Sequence, residues 1–309
     1  MIDPFRFGHW VSKPAIKRFE LDAKSAVAPE DDIEAIRVHY DGFNQEHLAE
    51  ALNLYPVEIE RVEIAGVATH LVSRGDCAED PILLCLHGGA FMWGRGAGAL
   101  LEAVPVASVS GFRVAAVEYA LAPEHKFPAS IDDVVAVYRT LLESRRPESI
   151  GIYGCSAGGM LTAQVVARLI EEGMPVPGAI AMLCGTGLEF DGDSPQAAAA
   201  FSAKMDNVDS IRLASLPHFI GADPADRTLF PGEHGEVLEK FPPSLLVTGS
   251  RDFAASSVST MHRRLNAAGV DASLFDFDGM WHAFHMATTL PEAREVFAIL
   301  SDFFSKHLR

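Results

Sequence analysis

The sequence is poor in cysteine and in basic residues, and both shortages are informative. Of 309 residues four are cysteines, Cys77, Cys85, Cys155 and Cys184, with no C-x-x-C pair among them. Such spacing argues against zinc and disulfide frameworks, and thiols in or beside apolar runs fit a reducing compartment. Lys and Arg total 25 against 42 Asp and Glu, a net charge of −17 with His neutral. That balance repels phosphate backbones and anionic lipid, so neither nucleic acid nor a membrane is an expected partner. No apolar run approaches the roughly 20 residues of a membrane span. The first residues, Met1-Ile2-Asp3-Pro4-Phe5-Arg6-Phe7, lack the basic-then-apolar order of a secretory leader, so a cytoplasmic protein is expected. Internal repeats are missing, and so are low-complexity tracts apart from Ala197-Ala198-Ala199-Ala200.

What is present is globular, with 49% hydrophobic and 22% charged residues. Val57 to Ile64 alternates apolar and charged residues, Ala65-Gly66 turns, and Val67 to Val72 returns, which predicts a hairpin with one solvated face. Strands and helices then alternate: strand 81–87, helix near 97–109, strand 113–118, helix 129–144, strand 149–154, helix 158–172 and strand 178–184. Runs such as Ile82-Leu83-Leu84-Cys85-Leu86 do not alternate, so these strands are covered on both faces and the sheet is mostly parallel. The rhythm breaks over 185–240 and resumes with strand 244–248, a helix near 256–268, strand 272–277 and helix 291–307. The expected organisation is an α/β core in two parts, 49–184 and 241–309. An insertion, 185–240, joins the N-terminal segment 1–48 to form a lid over the sheet.

Gly154-Cys155-Ser156-Ala157-Gly158 lies where a strand gives way to a helix, the setting of a nucleophile elbow. A serine on that strained turn points its hydroxyl out of the sheet, and flanking glycines remove Cβ atoms that would clash. Ser156 is the candidate nucleophile. A thiol at Cys155 could also attack, but its side chain should point away from the Ser156 side, as a small core residue.

A serine hydroxyl needs a base, most often an imidazole oriented by a buried carboxylate. His282, in Phe277-Asp278-Gly279-Met280-Trp281-His282-Ala283-Phe284, follows the last strand and is the base candidate. His285 makes a His-x-x-His pair with it, but with no third ligand nearby in sequence it is expected to pack at a helix start rather than bind metal. Asp252, in the turn Gly249-Ser250-Arg251-Asp252, sits at the carboxyl edge of the sheet and is preferred as the acid over Asp276 and Asp278; its competing role is to cap the next helix. Asp223 and Asp226 fall in the insertion and are set aside. Acyl transfer also needs donors aimed at the developing oxyanion. Directly after strand 81–86, His87-Gly88-Gly89-Ala90-Phe91 offers the amides of Gly88 and Gly89, with that of Ala157 as the third.

With these residues together, the chain resembles the hormone-sensitive-lipase-like branch of the α/β-hydrolases (family IV carboxylesterases). The likeness covers roughly residues 55–309. It runs from His87-Gly88-Gly89-Ala90 through Glu118-Tyr119-Ala120-Leu121-Ala122-Pro123-Glu124-His125 and Phe127-Pro128-Ala129 to Gly154-Cys155-Ser156-Ala157-Gly158-Gly159, then Gly279-Met280-Trp281-His282. It implies an eight-stranded sheet with a helical cap, a triad of Ser156, Asp252 and His282, no metal or organic cofactor, and often a homodimer through the last strand, 272–277. Three positions depart from the family pattern: Cys155 replaces its usual Asp, Ala120 its usual Arg, and Ala90 the fourth residue of His-Gly-Gly-Gly.

The expected activity is hydrolysis of short- to medium-chain carboxylic esters, small molecules, through an acyl-enzyme. Phe91, Met92, Trp93, Phe190, Phe201, Met205, Leu213 and Phe219 are the candidate pocket walls. An amidase, deacetylase or lactonase would use the same triad, and a ligand-binding protein could keep the pocket without turnover.

Overall fold

The computed structural model describes residues 6–25, 32–75, 81–201 and 213–309. Eight strands form one sheet: β1 (Glu58–Ile64), β2 (Val67–Ser73), β3 (Ile82–Leu86), β4 (Arg113–Val117), β5 (Ile150–Cys155), β6 (Ala179–Leu183), β7 (Ser244–Gly249) and β8 (Ala272–Phe277), in the spatial order β1-β2-β4-β3-β5-β6-β7-β8. The β1–β2 hairpin is antiparallel, as its alternating sequence predicts, and β2 also runs antiparallel to β4. From β4 to β8 every pairing is parallel.

The two-residue period of the strands divides the core into two layers. Leu84, Leu86, Ile152, Met182 and Leu246 face α4 (Ala129–Leu142), α5 (Ala157–Glu171) and α8 (Ala255–Ala267). Their neighbours Leu83, Cys85, Tyr153, Leu183 and Val247 face α3 (Ala97–Ser110) and α9 (Pro291–His307). Strands β3, β5, β6 and β7 are buried along their whole length, which is why their sequences are almost wholly apolar, with Ser244 and Thr248 of β7 the polar residues among them. Helix ends follow their residues: Gly111 closes α3 in the left-handed conformation (φ 73°), and Pro291 opens α9 at a position with no amide to satisfy.

Two helices precede the sheet, α1 (Lys13–Ser25) and α2 (Ile33–Leu54), the second continuing past residue 48. Asp32 caps α2 by accepting from the amides of Glu34 and Ala35. Between β6 and β7 lie α6 (Ser194–Phe201), short 3-10 turns and the one-turn helix α7 (Gly235–Leu238). Arg37 ties α2 to the loops after β3 and β4, donating to the carbonyls of Met92 at 2.9 Å and Ala122 at 3.0 Å and to both carboxylate oxygens of Glu124.

β3 lies between β4 and β5, so the chain leaves β3 toward one side of the sheet and returns to its other side. At such a switch point a crevice opens beyond the carboxyl ends of the strands. Leu86 of β3 is in register with Gly154 of β5, and the segments following these two residues therefore emerge side by side.

Candidate active site

Ser156 follows β5 with φ 56° and ψ −119°, a strained conformation for a residue with a side chain, and α5 begins at the next residue. The turn is possible because of its glycines: a Cβ on Gly154 or Gly158 would collide with the Leu86 carbonyl. The Ser156 amide donates to Leu183 O at 2.8 Å, fixing the elbow to β6.

His282 Nε2 lies 2.9 Å from Ser156 Oγ, and His282 Nδ1 lies 2.7 Å from Asp252 Oδ1. Asp252 is fully buried and accepts also from Thr248 Oγ1 at 3.0 Å and the Ala254 amide at 2.9 Å. The last bond closes the turn ahead of α8, whose N-cap is Ala254 without a side-chain capping bond, so Asp252 does not take the helix-capping role that was its alternative. Asp278 instead lies near Ser250, 3.4 Å between Oδ1 and the hydroxyl, and the structure brings neither it nor Asp276 to His282. After His282, Ala283 takes a left-handed turn (φ 57°) and its amide points at Cys184 Sγ, 3.4 Å away.

The expected oxyanion donors need one correction. The Gly88 amide donates to Glu102 Oε1 at 2.7 Å, so its hydrogen is taken up by a side chain beneath the loop and cannot serve an oxyanion. The next amides, Gly89 and Ala90, have no protein partner among the described residues, and both residues line the same cavity as Ser156 and Ala157. Ala157 is the first residue of α5, where a helix leaves its amides unpaired. The loop is held in place by positive φ at Gly89, Ala90 and Phe91, and by His87, whose ring bonds Gly88 O at 2.7 Å and stacks on Tyr119.

The cavity above Ser156 has a volume of about 520 Å³. Met92, Trp93, Phe190 and Leu213 line it, as the sequence suggested. Phe91 and Phe219 do not: Phe91 is fully buried, stacked on His218 with centroids 4.1 Å apart, and meets Phe219 edge-on in the core. Met205 and the side chain of Phe201 lie outside the described residues. Sequence reasoning missed Tyr40, Leu216, Phe253, Met286 and Glu102, which also line the cavity. Phe253 adjoins Asp252, and Glu102 is the one charged residue of α3, so both carried a signal; Tyr40 reaches the site only because α2 folds back, stacking on Trp93 at 4.5 Å.

Behind the triad, Cys155, Cys184 and His285 are buried with their ligand atoms within 4.8 Å of one another. Burial pushes the Cys155 thiol well up and His285 down to about 3, so these groups stay neutral and Cys155 is a core residue, as its place in the elbow predicts. His285 sits in the 3-10 turn Phe284–Met286, and the thiols beside it come from the end of β5 and the residue after β6, both distant in sequence.

A buried carboxylate, an imidazole and a strained serine in hydrogen-bonded sequence define the serine-hydrolase arrangement. A family model described as alpha/beta hydrolase fold matches residues 83–286. LipR of Mycobacterium tuberculosis is 30% identical over 270 residues, 81% of this chain and 80% of its own. An esterase of Acinetobacter venetianus is 28% identical, covering 80% of this chain and 82% of its own. An acetyl-hydrolase of Streptomyces hygroscopicus is 29% identical over 72% and 74%. Among solved structures, an esterase of the bacterial hormone-sensitive lipase family superposes with a TM-score of 0.86 at 27% identity, covering 97% of this chain and all of that one. The chain belongs to the α/β-hydrolase fold family, within its hormone-sensitive-lipase branch of esterases.

Proposed function

We propose that the protein hydrolyses short- to medium-chain carboxylic esters through an acyl-enzyme carried on Ser156. The observation that supports this most directly is the unbroken hydrogen-bonded run from Ser156 through His282 to Asp252 on a largely apolar cavity. In this reading Ser156 Oγ attacks the ester carbonyl as its proton passes to His282 Nε2. Asp252 holds the Nδ1–H tautomer and stabilises the imidazolium. The amides of Gly89, Ala90 and Ala157 hold the oxyanion. On collapse His282 protonates the leaving alcohol, then takes a proton from the water that releases the acid and restores Ser156.

Trp93, Phe190, Leu213, Phe253 and Met286 give the acyl chain apolar walls, and a volume of about 520 Å³ suits a small acyl group better than a long lipid. The acetyl-hydrolase and esterase among the relatives support the same class of substrate. Helices α1 and α2, with 185–240, serve as the cap. No helix among the described residues is long and apolar enough to cross a membrane, and the buried free thiols of Cys85, Cys155 and Cys184 support a reducing compartment. Edge strand β8, with Phe275 exposed, is the surface through which two copies would pair, and light scattering of Phe275→Lys against wild type tests that.

The deciding assay is hydrolysis of p-nitrophenyl esters from acetate to decanoate, with amide and lactone analogues alongside. Ser156→Ala is expected to lose kcat by ~10⁴-fold or more. Unchanged turnover in that variant refutes the mechanism.

A further inference from the structure

Helix α3, Ala97–Ser110, carries no charged residue but Glu102. Packing alone does not call for an acid there, since an apolar side chain of similar volume avoids the cost of burying a carboxyl. Its surroundings supply a different reason. Oε1 accepts from the Gly88 amide at 2.7 Å, and the Cys155 backbone amide is close enough to the same carboxyl to favour its charged form. Gly88 begins the loop after β3, and Cys155 immediately precedes Ser156. The two segments touch: a Cβ on Gly88 would lie 3.1 Å from Cys155 O and 3.4 Å from Ser156 Cβ. One buried side chain therefore joins the loop that carries Gly89 and Ala90 to the elbow that carries Ser156 and Ala157.

We propose that Glu102 is a positioning residue for the oxyanion site: by anchoring the Gly88 amide where that residue packs against the elbow, it sets the relative placement of the three amides that receive the acyl oxygen. This rests on the ester-hydrolysis reading of the same site. Donors stabilise an oxyanion only when aimed at the position it will occupy, so a fixed spacing between loop and elbow bears on kcat more than on ground-state binding.

The carboxyl is also neutral when the enzyme works near neutral pH. Burial raises its pKa to about 8, although the two amides oppose the rise. The titratable groups facing it are Cys85 on β3, Tyr153 and Cys155 on β5, and Tyr119 after β4. Burial pushes all four well above their ordinary values. His87, at the head of the loop, is pushed down to about 4 by burial. Glu102 is thus the first of these groups to ionise as pH rises, and its negative charge would then oppose the developing oxyanion.

The test compares Glu102→Leu and Glu102→Gln with wild type on p-nitrophenyl acetate between about pH 6 and 10, with melting temperatures over the same range. At pH near 7 the Leu variant is expected to lose kcat by ~10- to 100-fold with KM within about twofold. The Gln variant keeps an acceptor for the Gly88 amide and should stay within about threefold of wild-type kcat. Wild-type kcat should fall as pH passes about 8, whereas the Gln variant holds its rate there. Wild-type kcat in both variants, or the same alkaline fall in Glu102→Gln, overturns the assignment. The second criterion stands even if the Leu variant does not fold. Ser156→Ala measured alongside separates the two readings: activity surviving there refutes ester hydrolysis through Ser156. Activity lost there but unchanged in both Glu102 variants refutes only the role of Glu102.

Discussion

The ring of Phe253 lies against the imidazole of His282, with centroids 3.9 Å apart and planes 21° from parallel. Phe190 meets Phe253 edge-on at 5.1 Å, so the imidazole rests on a braced aromatic surface while Asp252 holds its Nδ1 edge. Such a stack contributes ~0.5–1.5 kcal/mol beyond area burial, and part of it restricts the ring to the plane that reaches Ser156. Phe253→Ala is expected to lower kcat by about three- to tenfold. KM should rise as well, because Phe253 also lines the cavity. Phe253→Leu, which keeps apolar volume without the stacked ring, should recover KM more than kcat. Steady-state kinetics on p-nitrophenyl butyrate check this, and wild-type kcat in the Ala variant refutes the bracing role.

Arg37 links α2 to Met92, which lines the cavity, and to the segment after β4 through the carbonyl of Ala122 and the carboxylate of Glu124. The guanidinium holds the exposed Glu124 carboxyl down to about 2, mainly through their hydrogen bonds. The carbonyl contacts matter more, since an exposed ion pair alone contributes little. A lysine carries the charge but cannot span these acceptors with one planar fork. Arg37→Lys and Arg37→Ala should therefore resemble each other, each raising KM severalfold by loosening Tyr40 and Trp93 at the mouth, whereas Glu124→Gln should be near wild type. If Lys fully substitutes for Arg in KM, the fork geometry is irrelevant.

Much of this site was legible in the sequence because its chemistry is written in local segments. The elbow, the turn holding Asp252 and the loop holding His282 each follow a strand whose apolar run marks it, and parallel strands deliver such turns to one edge of the sheet. The strand and helix boundaries are readable for the same reason: β3, β5, β6 and β7 are covered on both faces and admit almost no polar residue. What local segments could not show is which amide of His87-Gly88-Gly89-Ala90 is free. That depends on Glu102, fourteen residues away along the chain from Gly88 and brought beneath it by α3. Phe91 and Phe219 misled for a related reason. An aromatic residue beside a catalytic loop can face either the cavity or the core, and at Phe91 a left-handed turn sends the ring inward onto His218.

The thiols offer a simple probe of the packing behind Ser156. Cys85, Cys155 and Cys184 are all buried. Burial raises Cys85 and Cys155 well above ordinary thiol values. At Cys184 the Cys155 thiol acts downward, yet burial still brings it to about 11. A thiol that is both inaccessible and protonated does not react as a thiolate. The folded enzyme should therefore leave these three unmodified by iodoacetamide at pH near 8, as peptide mass mapping would show, and unfolding in urea should expose them. Rapid alkylation of Cys155 in the folded state would contradict its place in the core.

Three buried imidazoles contribute to the acid limit of the fold. Burial holds His87 and His218 down to about 4 and His285 down to about 3, against an ordinary value of 6.5. At these three sites the unfolded chain therefore binds more protons than the folded one below pH 6.5. Stability from these groups is complete above that pH and is lost as pH falls toward 4, by up to about 1.4 kcal/mol per pH unit for each group. Glu102 acts in the opposite sense. Its pKa is raised to about 8, so its contribution is complete below its ordinary value of 4.5 and is lost as pH climbs through 8. Three groups outweigh one between pH 4.5 and 6.5, and above 6.5 the slope of Glu102 remains, so these groups together favour greatest stability near pH 6.5. His218 provides the direct test. Neither of its ring nitrogens has a hydrogen-bond partner among the described residues, and its flat face stacks on Phe91. His218→Phe keeps the stack and removes both unpaired nitrogens and the titration. Urea midpoints at pH 5 and pH 7 should lie closer together in that variant than in wild type, with most of the gain at pH 5. An unchanged interval between the two midpoints would show that His218 is not part of the acid limit.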